Sequence, residues 1–378
     1  MKTALSYIER KLAIRKEEKS FRQLRQVDGL LDFSSNDYLG FARCPQLKRK
    51  IGTDLEKYKD TRLGATGSRL LTGNSALAEQ MEIEIAAYHR AKNGLIFNSG
   101  YTANTALFSC LPQRNDTIIY DELIHASVID GARLSFANRF KFKHNDLEDL
   151  EKKLRQYTGV CYVAVESVYS MDGDLAELKA IAELCRTYGA NLIVDEAHAF
   201  GILGTGLTDE LQIQDLVFAR IITFGKALGL HGAIILGPDL LRDYLINFAR
   251  PFIYSTATPE GSLIALRRAY CHFFEQPDLK FRLAEKSALF LKNMPPQQVL
   301  QSTNNPTAIQ AVFVKGNPAV KAMGVYLESK GFDVRPILSP TVAKGSERLR
   351  ITLHLHNSDQ QILDLCSEFH HLSQIMYL

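Results

Sequence analysis

The chain runs to 378 residues, room for two or three domains at ~100–200 residues each. Its 46% hydrophobic and 23% charged residues are those of an ordinary globular protein. With 45 Lys and Arg against 42 Asp and Glu, the net charge is only +3, which gives no support to a nucleic-acid or membrane-surface role.

No apolar run approaches the ~20 residues of a membrane span, and the charged N-terminus carries no apolar signal core. The six dispersed cysteines show no Cys-x-x-Cys pair and no zinc-type spacing, so a reducing, cytoplasmic setting is expected. Residues 1–30 read as one charged amphipathic helix ending near Asp28-Gly29. Asp32–Asn36 reads as a short strand entering the turn-rich Asn36-Asp37-Tyr38-Leu39-Gly40. After a glycine-rich stretch from Arg62 to Gly73, Asn74 is placed to cap a helix running to about Arg90. Strands and helices then alternate. Leu95–Phe97 is an apolar strand, stopped at Asn98-Ser99-Gly100 and followed by a helix from Tyr101 to Cys110. Thr117–Tyr120 is the next strand, and Asp146 opens a helix whose acidic first turn suits the helix dipole. A strand at Val160–Val165 precedes a helix opened by Asp174 and stopped at Gly189. Strands at Asn191–Val194, Ile221–Thr223 and Ala233–Leu236 follow.

Short apolar strands alternating with amphipathic helices predict an α/β domain with a mostly parallel sheet. Beyond Pro251 the pattern loosens into two or three helices, strands near Ala311–Val314 and Leu349–Leu353, and a closing helix from Asp359. That predicts a smaller α+β C-terminal domain. The expected organisation is a helical arm with a short strand over 1–40, a large α/β domain over 41–255 and the small domain over 256–378.

Ligands of open α/β sheets sit at the carboxyl ends of strands. There the sequence places Asp195-Glu196-Ala197-His198, Thr223-Phe224-Gly225-Lys226, Glu166-Ser167, Asn98-Ser99-Gly100-Tyr101 and Asp121-Glu122-Leu123-Ile124-His125. A helix start with free N–H groups at Gly100 and Tyr101 suits a phosphate. A strand-end lysine can carry a Schiff base. An aspartate aimed at a pyridine nitrogen makes the ring an electron sink, and a histidine can lie flat on it. Together these features point to pyridoxal phosphate.

Two rivals fail on the residues. Asp195-Glu196-Ala197-His198 also spells a helicase acidic box, but Gly225-Lys226 is followed by Ala227, Arg220 stands where a phosphate loop needs its first glycine, and no other such loop exists. A zinc reading of Asp195 with His125 and His198 leaves Lys226 without a role, so no metal is expected. His144, His231, His354 and His356 read as structural or surface residues.

The chain resembles the α-oxoamine synthases, a branch of the fold-type-I pyridoxal phosphate enzymes. The matching segments run in order: Phe33–Gly40, Thr61–Gly73, Asn98–Asn104, Ile124–Ser127, Glu166–Asp174, Val194–His198, Thr223–Gly229, Arg250–Thr256, Pro340–Val342 and Arg348–Leu353. Tyr101 stands where the family has Phe, His231 where small residues are usual, and Leu353-His354-Leu355-His356-Asn357 departs from the pattern of the biotin-pathway branch.

The resemblance implies a role for each matched residue. Lys226 would hold the cofactor and then take the α-proton, Asp195 would pair with the pyridinium nitrogen, and His125 would stack on the ring. His198, and with it Ser167, would hydrogen-bond the phenolic oxygen. Gly100, Tyr101 and Thr223 would surround the cofactor and its phosphate. Arg350 with Asn36 would grip the substrate carboxylate, Thr341 would line the acyl site, and Arg22 would reach the acyl-CoA or its acyl carboxylate. The implied reaction is decarboxylative condensation of an amino acid with an acyl-CoA or acyl carrier protein, in a homodimer. Within the family the match favours L-alanine and a pimeloyl thioester, the biotin-pathway pair. Glycine with acetyl-CoA, serine with palmitoyl-CoA and plain transamination are the alternatives.

Overall fold

The computed structural model describes residues 3–26, 28–58, 62–297, 300–303 and 305–376. Thr61, at the head of the glycine-rich segment, lies outside the described residues. The first half runs α1 (Ala4–Glu17), β1 (Leu31–Asp32), α2 (Pro45–Lys57), α3 (Ala76–Tyr88), β2 (Asn93–Phe97), α4 (Gly100–Cys110), β3 (Thr117–Asp121), α5 (Ala126–Leu134), β4 (Asn138–Phe142), α6 (Leu147–Leu154), β5 (Cys161–Glu166) and α7 (Leu178–Tyr188). The second continues β6 (Asn191–Asp195), α8 (Leu207–Glu210), β7 (Ala219–Thr223), β8 (Ala233–Gly237), α9 (Asp239–Phe248), α10 (Arg250–Ile253), α11 (Glu260–Phe274) and α12 (Leu279–Asn293). It ends β9 (Ile309–Phe313), α13 (Asn317–Ser329), β10 (Phe332–Asp333), β11 (Arg335–Ile337), β12 (Arg348–Thr352) and α14 (Asp359–Met376). No helix among the described residues is long and apolar enough to cross a membrane.

These elements group into two units. The larger comprises Asp37–Ser170 and Asp174–Phe281; the smaller comprises the residues up to Asn36, Met171–Gly173 and those from Arg282 onward. Residues 256–281, read from sequence into the C-terminal domain, cluster with the larger unit.

The larger unit is built on a seven-stranded sheet in the order β2-β8-β7-β6-β5-β3-β4. Strands β3 to β7 are parallel where they pair, and β8 runs antiparallel to both β2 and β7. Every residue of β5 and β7 is buried, as expected for strands covered on both faces. Phe97, Leu107, Phe108, Ile118, Val128, Ile193 and Ile221 belong to one apolar cluster, each side chain contributing about 1.5–3 kcal/mol relative to exposure. The parallel register sets Glu166 opposite Asp195. Gly131 lets α5 lie close on α4, since a Cβ there would stand 2.9 Å from Phe108 Cβ and 3.0 Å from the Asn104 carbonyl.

The smaller unit has an antiparallel sheet, β11-β12-β9, and a parallel pair, β1-β10. Along β12, Leu349 and Ile351 alternate with Arg348, Arg350 and Thr352, all buried, so two arginines share one face of a buried strand. Arg348 is ion-paired with Asp172. On α14, Ile362, Leu365, Cys366, Phe369 and Leu372 form the buried stripe at helical spacing.

Several expected elements differ. The first helix stops at Glu17 rather than near residue 28, with Lys19 at φ 55° and Ser20 N–H bonded back to Arg15 O. α1 buries no side chain, so no packing extends it. Ser75, not Asn74, caps α3, its Oγ accepting Ala78 N–H at 3.2 Å. Asp174 does not open a helix: α7 starts at Leu178, and the Asp174 carboxylate is bonded to His144 and Asn145 instead. The strand at residues 32–36 shrinks to Leu31–Asp32 because Asp32 Oδ1 accepts Ser34 and Ser35 N–H and bends the chain. The structure adds α2, α5 and β4, the last an edge strand with four exposed residues and hence no apolar run to see.

Candidate active site

Asp195 ends β6 and is nearly buried. Its Oδ2 accepts Asn104 Nδ2 at 2.7 Å and its Oδ1 accepts Ala197 N–H at 2.9 Å. The same Asn104 amide donates to Ser127 Oγ at 3.0 Å, and Ser127 Oγ stands 2.7 Å from His125 Nδ1. Ser127 N–H also donates to His125 Nδ1 at 3.2 Å. Nδ1 is therefore an acceptor, and the ring proton of neutral His125 sits on Nε2. Burial lowers the His125 pKa, the charge of Lys226 lowers it further and Asp195 opposes both. A neutral, planar imidazole results, fixed at the N-cap of α5.

Lys226 follows β7 on a half-buried turn closed by Gly229 N–H to Lys226 O at 2.9 Å. Gly229 has φ +64°, and a Cβ there would lie 2.3 Å from Ala42 N, so only glycine fits. Thr223, the last residue of β7, donates from Oγ1 to Gly232 O at 3.3 Å and accepts Gly225 N–H at 3.4 Å. Gly100 packs on that side chain, 3.5 Å from Thr223 Oγ1 to the position of a Cβ. At the start of α4, Ser99 Oγ caps Thr102 N–H at 3.1 Å. The Gly100 and Tyr101 N–H groups lie ahead of that cap, in a helix turn that has no carbonyls to receive them. Tyr101 is half-exposed, bonded to Asp130, with its ring edge-on to His125 at 6.2 Å.

His198 is buried with Nδ1 2.6 Å from Tyr38 Oη. Ser167 is fully buried, and its hydroxyl reaches the Asp195 carbonyl and Glu196 Oε2, both at 3.3 Å. In the smaller unit, Arg350 donates from Nη2 to Asn36 Oδ1 at 2.9 Å and from Nη1 to Thr352 Oγ1 at 3.0 Å. Arg22 Nη2 donates to Thr341 Oγ1 at 2.9 Å. The fold thus brings together both pairs, each separated by more than 300 residues in sequence.

Sequence reasoning gave no role to Asn104, Tyr38 or Glu166. Glu166 was visible as a strand-end acid. Its carboxyl is buried, its Oε1 has no hydrogen-bond partner among the described residues, and burial raises its pKa. The negative charge of Asp195 adds to that shift and Lys226 opposes it. Asn104 and Tyr38 act through tertiary contacts that no local pattern announces.

Pyridoxal phosphate fits this donor set. An ionisable carboxylate is steered by an amide and a backbone N–H, a neutral flat imidazole stands by, a lysine is on a tight turn, and a helix N-terminus abuts a strand-end threonine. Glu166 Oε1 is buried without a hydrogen-bond partner among the described residues, and its carboxyl feels the charges of Asp195 and Lys226.

Comparison with known proteins points the same way. Residues 28–369 match the aminotransferase class I and II family. The 8-amino-7-oxononanoate synthase of Emericella nidulans is 38% identical over 92% of this chain and 91% of its own length. That of Lysinibacillus sphaericus is 36% identical over 87% of this chain and 85% of its own. Among solved structures, 8-amino-7-oxononanoate synthase from Francisella tularensis superposes with TM-score 0.78 at 27% identity, covering 93% of this chain and all of that one. Serine palmitoyltransferase from S. paucimobilis reaches TM-score 0.90 at 22% identity over 99% of both chains, a likeness of fold.

Proposed function

The chain belongs to the class I and II aminotransferase family, as a pyridoxal phosphate enzyme of its α-oxoamine synthase branch, and from that premise we propose that it condenses L-alanine with a pimeloyl thioester, losing carbon dioxide, to give 8-amino-7-oxononanoate. The observation that carries the substrate choice is the near full-length similarity to 8-amino-7-oxononanoate synthases of a fungus and a bacterium. The departure at Leu353–Asn357 keeps the sibling pairs, glycine with acetyl-CoA and serine with palmitoyl-CoA, as the second reading.

Bound pyridoxal phosphate supplies an electron sink for negative charge at the α-carbon of the amino acid. Asp195, steered by Asn104 and Ala197, would hold a proton at the pyridine nitrogen. The Lys226 amine would tether the cofactor and then take the α-proton. His125, neutral and fixed by Ser127, would lie against the ring face, and His198, bonded to Tyr38, would hydrogen-bond the phenolic oxygen. The first N–H groups of α4, with Thr223, would hold the phosphate. Arg350 with Asn36 takes the amino-acid carboxylate, for which a guanidinium fork is suited. Arg22 with Thr341 takes the acyl end, carried by CoA or a carrier protein.

A homodimer belongs to this proposal. α1 buries nothing, yet exposes Leu5, Tyr7, Ile8 and Leu12, apolar surface that a second copy would cover. The mass in solution tests it.

The function is tested by crossing alanine, glycine and serine with pimeloyl-, acetyl- and palmitoyl-CoA and following thiol release. Fastest release with alanine and pimeloyl-CoA is expected. A faster sibling pair reassigns the substrates, and pyruvate formed from alanine without thiol release makes the protein an aminotransferase.

A further inference from the structure

His354 and His356 have no part in the proposed chemistry, yet in the smaller unit they and Asp32 bring ring nitrogens and a carboxylate oxygen within 4.8 Å of one another. The donor types suit a metal; the geometry suits something else. The two imidazoles are stacked, with centroids 4.5 Å apart and planes 15° from parallel. In-plane nitrogen lone pairs on stacked rings run side by side instead of converging on one ion.

The fully buried His354 has both ring nitrogens on oxygen acceptors. Nε2 lies 3.0 Å from the Ser35 carbonyl and Nδ1 lies 2.9 Å from Asn357 Oδ1. The Asn357 amide cannot be turned over. Its Nδ2 donates to the Asp32 carbonyl at 3.0 Å, and its Oδ1 also accepts the His354 backbone N–H at 3.0 Å. Both ring nitrogens are thus held by neighbouring oxygens, Ser35 Oγ adding a contact to Nε2 at 3.4 Å. Asp32 stands beside the ring in the same cluster. Burial disfavours its ionised form. Hydrogen bonds from Ser35 and Ser34, with the charge of His354, outweigh that and hold its pKa well below the usual carboxylate range. His356 completes the group, Nε2 3.9 Å from Asp32 Oδ2.

This cluster grips a short piece of chain. Phe33 O accepts Thr352 N–H at 2.8 Å, the Asp32 carboxylate holds the N–H groups of Ser34 and Ser35, and His354 holds the Ser35 carbonyl. The next residue is Asn36, whose Oδ1 receives Arg350 Nη2. Both sides of the Asn36–Arg350 pair are thereby anchored: Arg350 on β12 and Asn36 through the peptide that His354 fixes.

We propose that His354, held between the Ser35 carbonyl and the Asn357 side-chain oxygen, is a positioning residue that sets the Asn36–Arg350 grip on the carboxylate of the amino-acid substrate. This rests on the reading of Arg350 and Asn36 as the carboxylate site.

The test compares holoenzyme variants. His354→Leu removes both ring nitrogens at similar bulk, and should raise KM for the amino acid about tenfold, the worth of a hydrogen bond to a charged group. kcat should stay within about twofold, since binding and not chemistry is affected. His354→Gln, which keeps one donor, should recover part of the loss, and Arg350→Ala should raise KM at least as much. If Arg350→Ala raises KM and His354→Leu does not, the proposal is overturned and the carboxylate reading stands. If neither raises KM, the carboxylate reading falls and takes the proposal with it. Should His354→Leu fail to fold, His354→Gln carries the KM comparison. Stoichiometric zinc bound by the wild-type holoenzyme at this cluster would also overturn the proposal.

Discussion

At the strand ends of the larger unit, Glu166, Asp195, His125 and Lys226 lie close enough to disturb one another: the glutamate is pushed toward its neutral form and the histidine toward its own. In the smaller unit, Asp32 is met by three hydrogen bonds, and Arg350 by Asn36 and Thr352. The first arrangement disfavours the ionised forms of Glu166 and His125; the second holds side chains in place. Under the proposed function, the difference separates residues that react from residues that hold.

The comparison breaks first at Lys226. Lys226→Ala should cut turnover by ~10²–10⁴-fold or more, the scale of a lost positioned base. It should also abolish cofactor trapping by borohydride while the circular dichroism spectrum stays native; trapping at another lysine would move the reactive group elsewhere. Asp195→Asn keeps the shape but removes the charge, and should weaken cofactor binding by ~10–100-fold, the worth of a charged hydrogen bond. Titration of the apoenzyme with pyridoxal phosphate measures this, and unchanged affinity would remove Asp195 from the pyridine nitrogen. On the holding side, Arg350→Ala should raise the amino-acid KM by ~10-fold or more with a smaller change in kcat. A fall in kcat at constant KM would put Arg350 among the reacting groups instead.

A third histidine sharpens the contrast with His125. His144 sits between Asp121, at 3.0 Å, and Asp174, at 2.6 Å. Burial opposes its charge, but the two carboxylates outweigh that and raise its pKa to about 10. With the folded value above the unfolded one, this stabilisation is complete below about pH 6.5 and is lost as pH rises toward 10. His144→Gln should flatten the decline of stability with pH by on the order of 1–3 kcal/mol after solvent screening; urea melts from pH 6 to 10 read it, and a variant as steep as wild type would refute the clamp. The smallest expected effect is at Gly131→Ala, where the added Cβ meets the Asn104 carbonyl and should cost about 1–2 kcal/mol. A loss of cofactor affinity in the same variant would show that the α4–α5 approach steers Asn104 onto Asp195.

Much of the larger unit was legible because its signals are local. Apolar runs mark β2, β3, β5, β6, β7 and β8; Glu166, Asp195 and Thr223 end β5, β6 and β7, and Lys226 follows β7. The edge strand β4 was not, since its Asn-Arg-Phe-Lys face is exposed. The first helix was read too long because charge patterning alone does not say where packing stops. The Ser167 hydroxyl meets Asp195 O and Glu196 Oε2, partners that the β5–β6 pairing brings to it.

Residue types and their order determined the α/β class and the placement of Glu166, Asp195, Thr223 and Lys226 at or just past strand ends, because hydrophobic periodicity and turn chemistry act over a few residues. Only the tertiary structure decided which proton His125 carries, how Asn104 steers Asp195, and that Asp32, His354 and Asn357 clamp the chain beside Asn36. The Asn104–Ser127, Asn104–Asp195 and Ser35–His354 bonds behind those outcomes join groups tens to hundreds of residues apart, and the direction of such a bond exists only once the backbone has closed around it.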